Sequence, residues 1–377
     1  MREADSIQPV DYPFLAIVGT LVAFGFVMLA SASGPTSYAN FGQDSFYLVK
    51  HQLFFGLVPG LIGLYLASRI PYTFWKKRAW EFLLISIGLL VLVFIPGLAS
   101  EFGTSRSWIS IGGAFSLQPA EIVKLTFLFY LAAWLERRGS HGVKTVESGL
   151  IPFLSVLGTI MLLMVLQPDV GTMSIIIATA LVVYFVAGAP LLHIGGFVAA
   201  GVGLFTLLIV TSQYRYNRLM TLLNPEFDPQ GVGYHINQAL LALGSGGFFG
   251  LGYGESRQKF QYLPEVVGDS IFAVIGEEMG FVVAALLIAG FLLLFWRALR
   301  IANASPDPFG KYVVIGIASW FLIQGFVNIG SMVGLLPITG VTLPFMSYGG
   351  TSLAVSLGAV GVILNISRYG KKTSARR

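Results

Sequence analysis

The sequence predicts an all-α polytopic membrane protein, and three observations carry that prediction. Of 377 residues, 55% are hydrophobic and only 11% charged, where a soluble domain carries about 25% charge; mean hydropathy is +0.78. Apolar stretches of about 17–25 residues, each long enough to span a bilayer, recur along the chain. The cations gather in alternate connections rather than in one patch, which speaks for membrane topology and against nucleic acid.

Ten spans are expected, near 13–33, 51–70, 81–99, 116–135, 148–167, 169–188, 190–211, 270–295, 311–334 and 343–366. The first contains Ala30-Ser31-Ala32, which resembles a signal-peptidase site. Its flank, however, carries Glu3, Asp5 and Asp11 against a lone Arg2, and its apolar run exceeds the usual ~7–15 residues; it reads as a retained anchor. Arg69, Lys76, Lys77 and Arg78 separate the second and third spans, and Arg137, Arg138 and Lys144 follow the fourth. The fifth and sixth meet at Gln167-Pro168-Asp169, where proline removes a backbone donor and a tight polar turn is expected. Arg297, Arg300 and Lys311 lie between the eighth and ninth, and a basic tail follows the tenth. With the N-terminus in the cytoplasm all of these fall inside; outside fall only Lys50, Arg106, Arg215, Arg218, Arg257 and Lys259. That asymmetry puts both termini in the cytoplasm and turns the long polar segment 212–268 outward.

The whole chain, 1–377, reads as a single integral membrane domain with that one large outer loop. The loop holds its own apolar stretch, Ile236 to Phe249, running into GSGGFFGLGYG. It is too short to span and reads as re-entrant or interfacial. The glycine run follows no strand of a βαβ unit, so it is no dinucleotide fingerprint. Without Cys, disulfides, thiolate zinc sites and thiol catalysis are excluded. Four His with no H-E-x-x-H argue against a histidine metal site.

Ionisable groups inside spans are costly and mark function by default. Glu121 and Lys124 share a helix face at i and i+3, either as a structural ion pair or with Lys124 meeting an anionic substrate. Glu277 and Glu278 read as packing or hydrogen-bonding groups of the eighth span. Asp269 stands where the outer loop enters that span. It is placed either to cap the helix N-terminus or to accept a proton from a substrate whose tail stays in lipid. Arg215, Arg218, Arg257 and Lys259 suit a pyrophosphate, or equally lipid headgroups. These residues fit a transporter and an enzyme alike.

Six blocks decide between them: MLASAS; KHQ; SRSWISIGGAFSLQPAEIVK; QPDVGT; the long run from YRYNRLMTLLNPEFDPQGVGYHINQ through YLPEVVGDSIFAVIGEEMGF; and NIGSMVGLLPITGVTLPFMSYGGTS. In order, and each at a span boundary, they resemble the SEDS proteins (shape, elongation, division and sporulation), which include FtsW, RodA and SpoVE. The resemblance implies a ten-helix peptidoglycan glycosyltransferase that polymerises lipid II on the outer face of the cytoplasmic membrane. It places the catalytic aspartate at Asp269, where Gly268-Asp269-Ser270-Ile271-Phe272 stands for a Thr-Asp-Phe-Ile-Phe-like motif. Arg106-Ser107-Trp108 replaces Arg-Arg-Trp, and Gln118-Pro119-Ala120-Glu121 replaces Gln-Pro-Ser-Glu.

By the same resemblance, substrate contacts are expected from Lys50, Arg106, Gln118, Glu121, Lys124, Arg215, Arg218, Gln258, Lys259, Glu265 and Ser347. A divalent cation, Mg or Mn, could share the charge of the leaving pyrophosphate, although the sequence offers no self-evident cage. MLASAS, LNISRYGKK and TGVTLPF lean toward FtsW or the sporulation paralogue, whereas Pro337-Ile338-Thr339-Gly340 looks RodA-like; the balance favours FtsW. Expected partners are a class B penicillin-binding protein and other divisome proteins, at the septum. The competing classes are a lipid II flippase and a non-catalytic scaffold.

Overall fold

The computed structural model describes residues 8–95, 99–102, 105–111, 115–211, 213–224, 230–231 and 233–370. It is mostly helical. Helix α1 is Tyr12–Asn40, and α2 (Tyr47–Gln52) runs through a π turn into α3 (Val58–Arg69), giving a continuous 23-residue span. A short α4 (Tyr72–Lys77) precedes α5 (Ala79–Leu92), and α6 is Pro119–Lys144. Then come α7 (Ile151–Leu166), α8 (Val170–Val186) and α9 (Leu191–Val210). After α9 lie α10 (Gln213–Leu223) and α11 (Tyr234–Gly246), followed by α12 (Ile271–Ala304), α13 (Pro308–Met332) and α14 (Gly350–Ser367). Among the described residues six helices are long and apolar enough to cross a bilayer, and α5 and α8 are shorter apolar helices. This is a multi-pass membrane architecture.

The starts follow local chemistry. Asp11 accepts from the amide of Phe14 at 2.9 Å and Asp307 from that of Gly310 at 2.9 Å, and Pro13, Pro119 and Pro308 sit in first turns, where their missing N–H costs nothing. Ser31 and Ala32 are buried inside α1, so the stretch that resembles a cleavage site is bundle core. α13 and α14 are the most enclosed of the long helices. The α3–α14 contact is built on glycine: a Cβ at Gly60 would meet Leu357 Cδ1 at 2.6 Å, and one at Gly361 the Leu64 carbonyl at 2.4 Å. Such small-residue seams let membrane helices approach closely.

The all-α reading needs one correction. The segment between α5 and α6 forms a three-stranded antiparallel sheet, β1 (Ala99–Phe102), β2 (Ser105–Ile111) and β3 (Phe115–Leu117), in the order β1-β2-β3. Only Ile109-Ser110-Ile111 alternates within SRSWISI, too short a period-two signal to stand out between two apolar helices. The sheet is tied to the bundle: Ser107 Oγ donates to the Gln167 carbonyl at 3.2 Å, and Gln118 N to Thr351 Oγ1 at 3.3 Å.

α12 is broken. At Gly280 the backbone takes φ 77°, ψ −179°, and the polar groups this frees are claimed by the glycine-rich hook after α11. Leu251 and Gly252 amides donate to the carbonyls of Glu277 and Glu278, both at 3.0 Å. Phe281 and Val282 amides donate to the carbonyls of Gly247 and Phe248 at 2.9 and 3.2 Å. Irregular backbone within a membrane protein persists only where protein or water satisfies it. Here the α11–α12 loop does so, and GSGGFFGLGYG supplies the small residues that close approach requires.

Candidate active site

The two glutamates before the break hold residues 256–259 of the α11–α12 loop. Glu277 accepts from Ser256 Oγ and from the amides of Arg257 at 3.0 Å and Gln258 at 3.4 Å. Glu278 accepts from Ser31 Oγ at 2.7 Å and from Lys259 Nζ at 2.8 Å. Lys259 also donates to Ser31 Oγ at 2.9 Å and the Gly254 carbonyl at 2.7 Å. All three protons of its ammonium are engaged, and it is only 4% exposed. In this arrangement it fastens α1 to α12 through the loop and has no donor left for a pyrophosphate. Lys259→Met alone, leaving a buried unpaired carboxylate, is expected to lower stability by about 3–5 kcal/mol, and Lys259→Met with Glu278→Gln to recover much of it. Thermal melts of the purified variants measure both.

The turn that follows, 264–270, presents Asp269. Gly268 and Ser270 amides donate to the Glu265 carbonyl at 2.9 and 3.2 Å, and the Tyr348 amide donates to the Val267 carbonyl at 2.8 Å. Glu265 adopts φ 48°, an uncommon left-handed conformation for a side-chain-bearing residue. Asp269 is 7% exposed. The capping alternative is resolved against it: the N-cap of α12 is Ser270, and Asp269 stands one residue outside the helix. Its main-chain carbonyl accepts from Asn328 Nδ2 at 2.7 Å. Its Oδ1 lies 3.4 Å from Ser270 Oγ and 4.0 Å from His235 Nε2 on α11. The main chain that carries the carboxylate is thus held from three directions in the fold: α13, the turn itself, and the segment before α14.

A second polar group lies within the bundle. Lys124 Nζ donates to Glu121 Oε1 and to Gln324 Oε1, both at 2.7 Å, and sits 4.6 Å from the Trp320 ring centre. Trp320 Nε1 donates to the same Gln324 oxygen at 2.6 Å. Gln118 Nε2 reaches Asp169 Oδ2 at 3.3 Å, while Asp169 Oδ1 caps α8 through the Thr172 amide at 3.0 Å. Buried ion pairs of this kind are held by complete hydrogen bonding, yet Glu121 Oε2 has no partner.

The two groups are joined along one face of α13. Gln324 Nε2 donates to the Thr342 carbonyl at 2.8 Å. One turn on, Asn328 Nδ2 bridges the Val341 and Asp269 carbonyls at 2.8 and 2.7 Å. A single helix face therefore registers Lys124, the 341–342 segment and Asp269 against one another.

The remaining expected site residues are spread out. Lys50 is largely exposed and pairs with Asp44 at 2.9 Å; that hydrogen bond holds the Asp44 carboxyl below its usual range. Ser347 is buried and accepts from the Leu343 amide at 2.8 Å, shaping the turn before α14. Gln258 Oε1 is buried without a partner, and Glu265 is exposed beside Gly268. The side chains of Arg106 on β2 and of Arg215 and Arg218 on α10 lie outside the described residues. Among the described residues no three His, Cys, Asp or Glu stand together. His235, Asn328, Gln324 and Asp169 are additions that no candidate above anticipated. Their signal was available as polar residues at i and i+4 in an apolar span, and as one of only four His.

Comparison with known proteins identifies the family. The family model FtsW/RodA/SpoVE, described as cell cycle protein, matches residues 12–372. The chain belongs to this family. Stage V sporulation protein E of Bacillus subtilis is 42% identical over 96% of this chain and 98% of its own length. A probable peptidoglycan glycosyltransferase FtsW of Trichlorobacter lovleyi is 40% identical over 97% and 95%. Among FtsW/RodA/SpoVE structures, rod shape determining protein RodA of Thermus thermophilus superposes with a TM-score of 0.69 at 29% identity, covering 95% of this chain and 97% of that one. A chain from a peptidoglycan synthase complex that coordinates polymerization and crosslinking gives 0.78 at 27%, covering 96% and 99%.

Proposed function

We infer that this FtsW/RodA/SpoVE protein is a peptidoglycan glycosyltransferase that polymerises lipid II into β-1,4 glycan strands and releases undecaprenyl pyrophosphate. The observation that carries the mechanism is the anchored, buried carboxylate of Asp269 at the mouth of α12. Asp269 is the general base. It takes the proton of the acceptor's GlcNAc 4-hydroxyl as that oxygen bonds the anomeric carbon of the donor MurNAc. The C1–oxygen bond breaks on the opposite side, and its electron pair leaves with the pyrophosphate. One displacement inverts the α-linked donor to a β linkage without an enzyme nucleophile. Positioned base catalysis contributes about 10²–10⁴-fold.

With Lys259 and Lys124 engaged in buried pairs, the outward cations left to meet the leaving group are Lys50, Arg106, Arg215, Arg218 and Arg257. This assignment rests on a topology of ten spans with cytoplasmic termini and an outward 212–268 loop, supported by the division of cations. Similarity to proteins called FtsW and to a synthase that couples polymerization with crosslinking supports a role in division beside a class B penicillin-binding protein and other divisome proteins. The same activity in elongation or sporulation is the alternative, favoured by the likeness to stage V sporulation protein E. Fluorescent lipid II given to the reconstituted protein should be converted into long glycan strands. Translocation of lipid II without polymer would instead make it a transporter.

A further inference from the structure

Ser270, His235 and Asp269 come together across 35 residues of chain, in an arrangement the base mechanism above does not use. Ser270 Oγ lies 2.8 Å from the Pro264 carbonyl, 2.6 Å from His235 Nε2 and 3.4 Å from Asp269 Oδ1. A carbonyl oxygen only accepts, and a serine hydroxyl has one proton to give. With that proton on Pro264, the shorter of its two outgoing contacts, the 2.6 Å contact requires the imidazole to donate. His235 then carries hydrogen on Nε2, and the same N–H edge faces Asp269 Oδ1 at 4.0 Å.

The trio is not a nucleophilic triad. There the imidazole meets the acid through one ring nitrogen and the hydroxyl through the other. Here both partners stand at Nε2.

We propose that His235 is a positioning residue for the base: its N–H to Ser270 locks the 264–270 turn, and its positive edge fixes the orientation of the Asp269 carboxylate. The Ser270 hydroxyl closes the turn from Pro264 to the helix start, and the imidazole decides which way that hydroxyl points. The helix α11 that carries His235 thereby sets the reactivity of a residue on the far side of the loop. The proposal rests on Asp269 being the base.

The test uses the full-length protein in liposomes with fluorescent lipid II, over a range of lipid II concentrations. His235→Ala is expected to lower kcat by about 10–100-fold, as misplacement of a reacting group does, with KM nearly unchanged. His235→Gln, whose amide N–H reaches the same place, is expected to restore most of the rate. Ser270→Ala should match His235→Ala, and the double variant should be no worse than either, as for two residues acting through one contact. Wild-type rates for His235→Ala, or a folded His235→Gln as slow as the alanine variant, overturn the proposal. If His235→Ala does not fold, Ser270→Ala decides, and a wild-type rate there also overturns it. Asp269→Asn runs alongside: an inactive Asp269→Asn with a fully active His235→Ala removes the positioning role and leaves the base in place. An active Asp269→Asn removes the base and the proposal together.

Discussion

Asp269→Asn is expected to reduce lipid II polymerisation by about 10²–10⁴-fold while the protein stays folded. The substitution keeps the shape of the side chain and an oxygen where Oδ1 stands 3.4 Å from Ser270 Oγ. The anchor from Asn328 goes to the main-chain carbonyl of residue 269 and is untouched. What disappears is the capacity to take a proton. The readout is the ladder of glycan strands against time, with a thermal melt to show that the variant is intact. Polymerisation at the wild-type rate would remove the base assignment outright.

Gly280→Ala should have the largest effect on the fold itself. A Cβ there would lie 2.3 Å from the Gly250 amide nitrogen and 2.6 Å from the Phe248 carbonyl oxygen. Both are backbone atoms held by hydrogen bonds, the Phe248 carbonyl by the Val282 amide at 3.2 Å and the Gly250 amide to the Gly246 carbonyl at 2.8 Å, so neither can swing aside. The φ of 77° adds a conformational cost of about 1–3 kcal/mol, and overpacking adds about 1–3 kcal/mol, against a total stability of roughly 5–15 kcal/mol. Loss of folded protein from detergent extracts, or a sharply lower Tm, is the expected result. Gly244→Ala on α11 is the control: nothing lies within 4 Å of a Cβ there, so its Tm should match that of the wild type.

Hydropathy is a property of segments, which is why a helical, multi-pass architecture could be read directly. Asp269 was legible because a carboxylate at a loop–span boundary is conspicuous. Its neighbours were not. Both Asp269 and Ser270 are good capping residues, and only the backbone path chose Ser270. Gln324 and Asn328 carry no charge and raise no alarm in an apolar run, although their i, i+4 spacing is what connects Lys124 to Asp269. Lys259 looked like an anion-binding cation because its partners, Ser31 and Glu278, are remote in sequence. The break at Gly280 was invisible for a related reason: a lone glycine in an apolar stretch is commonly tolerated, and the segment that exploits it lies thirty residues earlier.

That exchange of backbone bonds between hook and helix makes the outer loop and α12 one cooperative unit. An opening that exposes Leu251 and Gly252 amides must also release the carbonyls of Glu277 and Glu278, and with them the carboxylates that hold residues 256–259. Amide hydrogen exchange at 251, 252, 281 and 282 should therefore proceed at one shared rate, far slower than in an independent surface loop. The segment leading to Asp269 is not a lid laid over a finished bundle. It unfolds only when the helix beneath it does, so the carboxylate inherits the kinetic persistence of the membrane core.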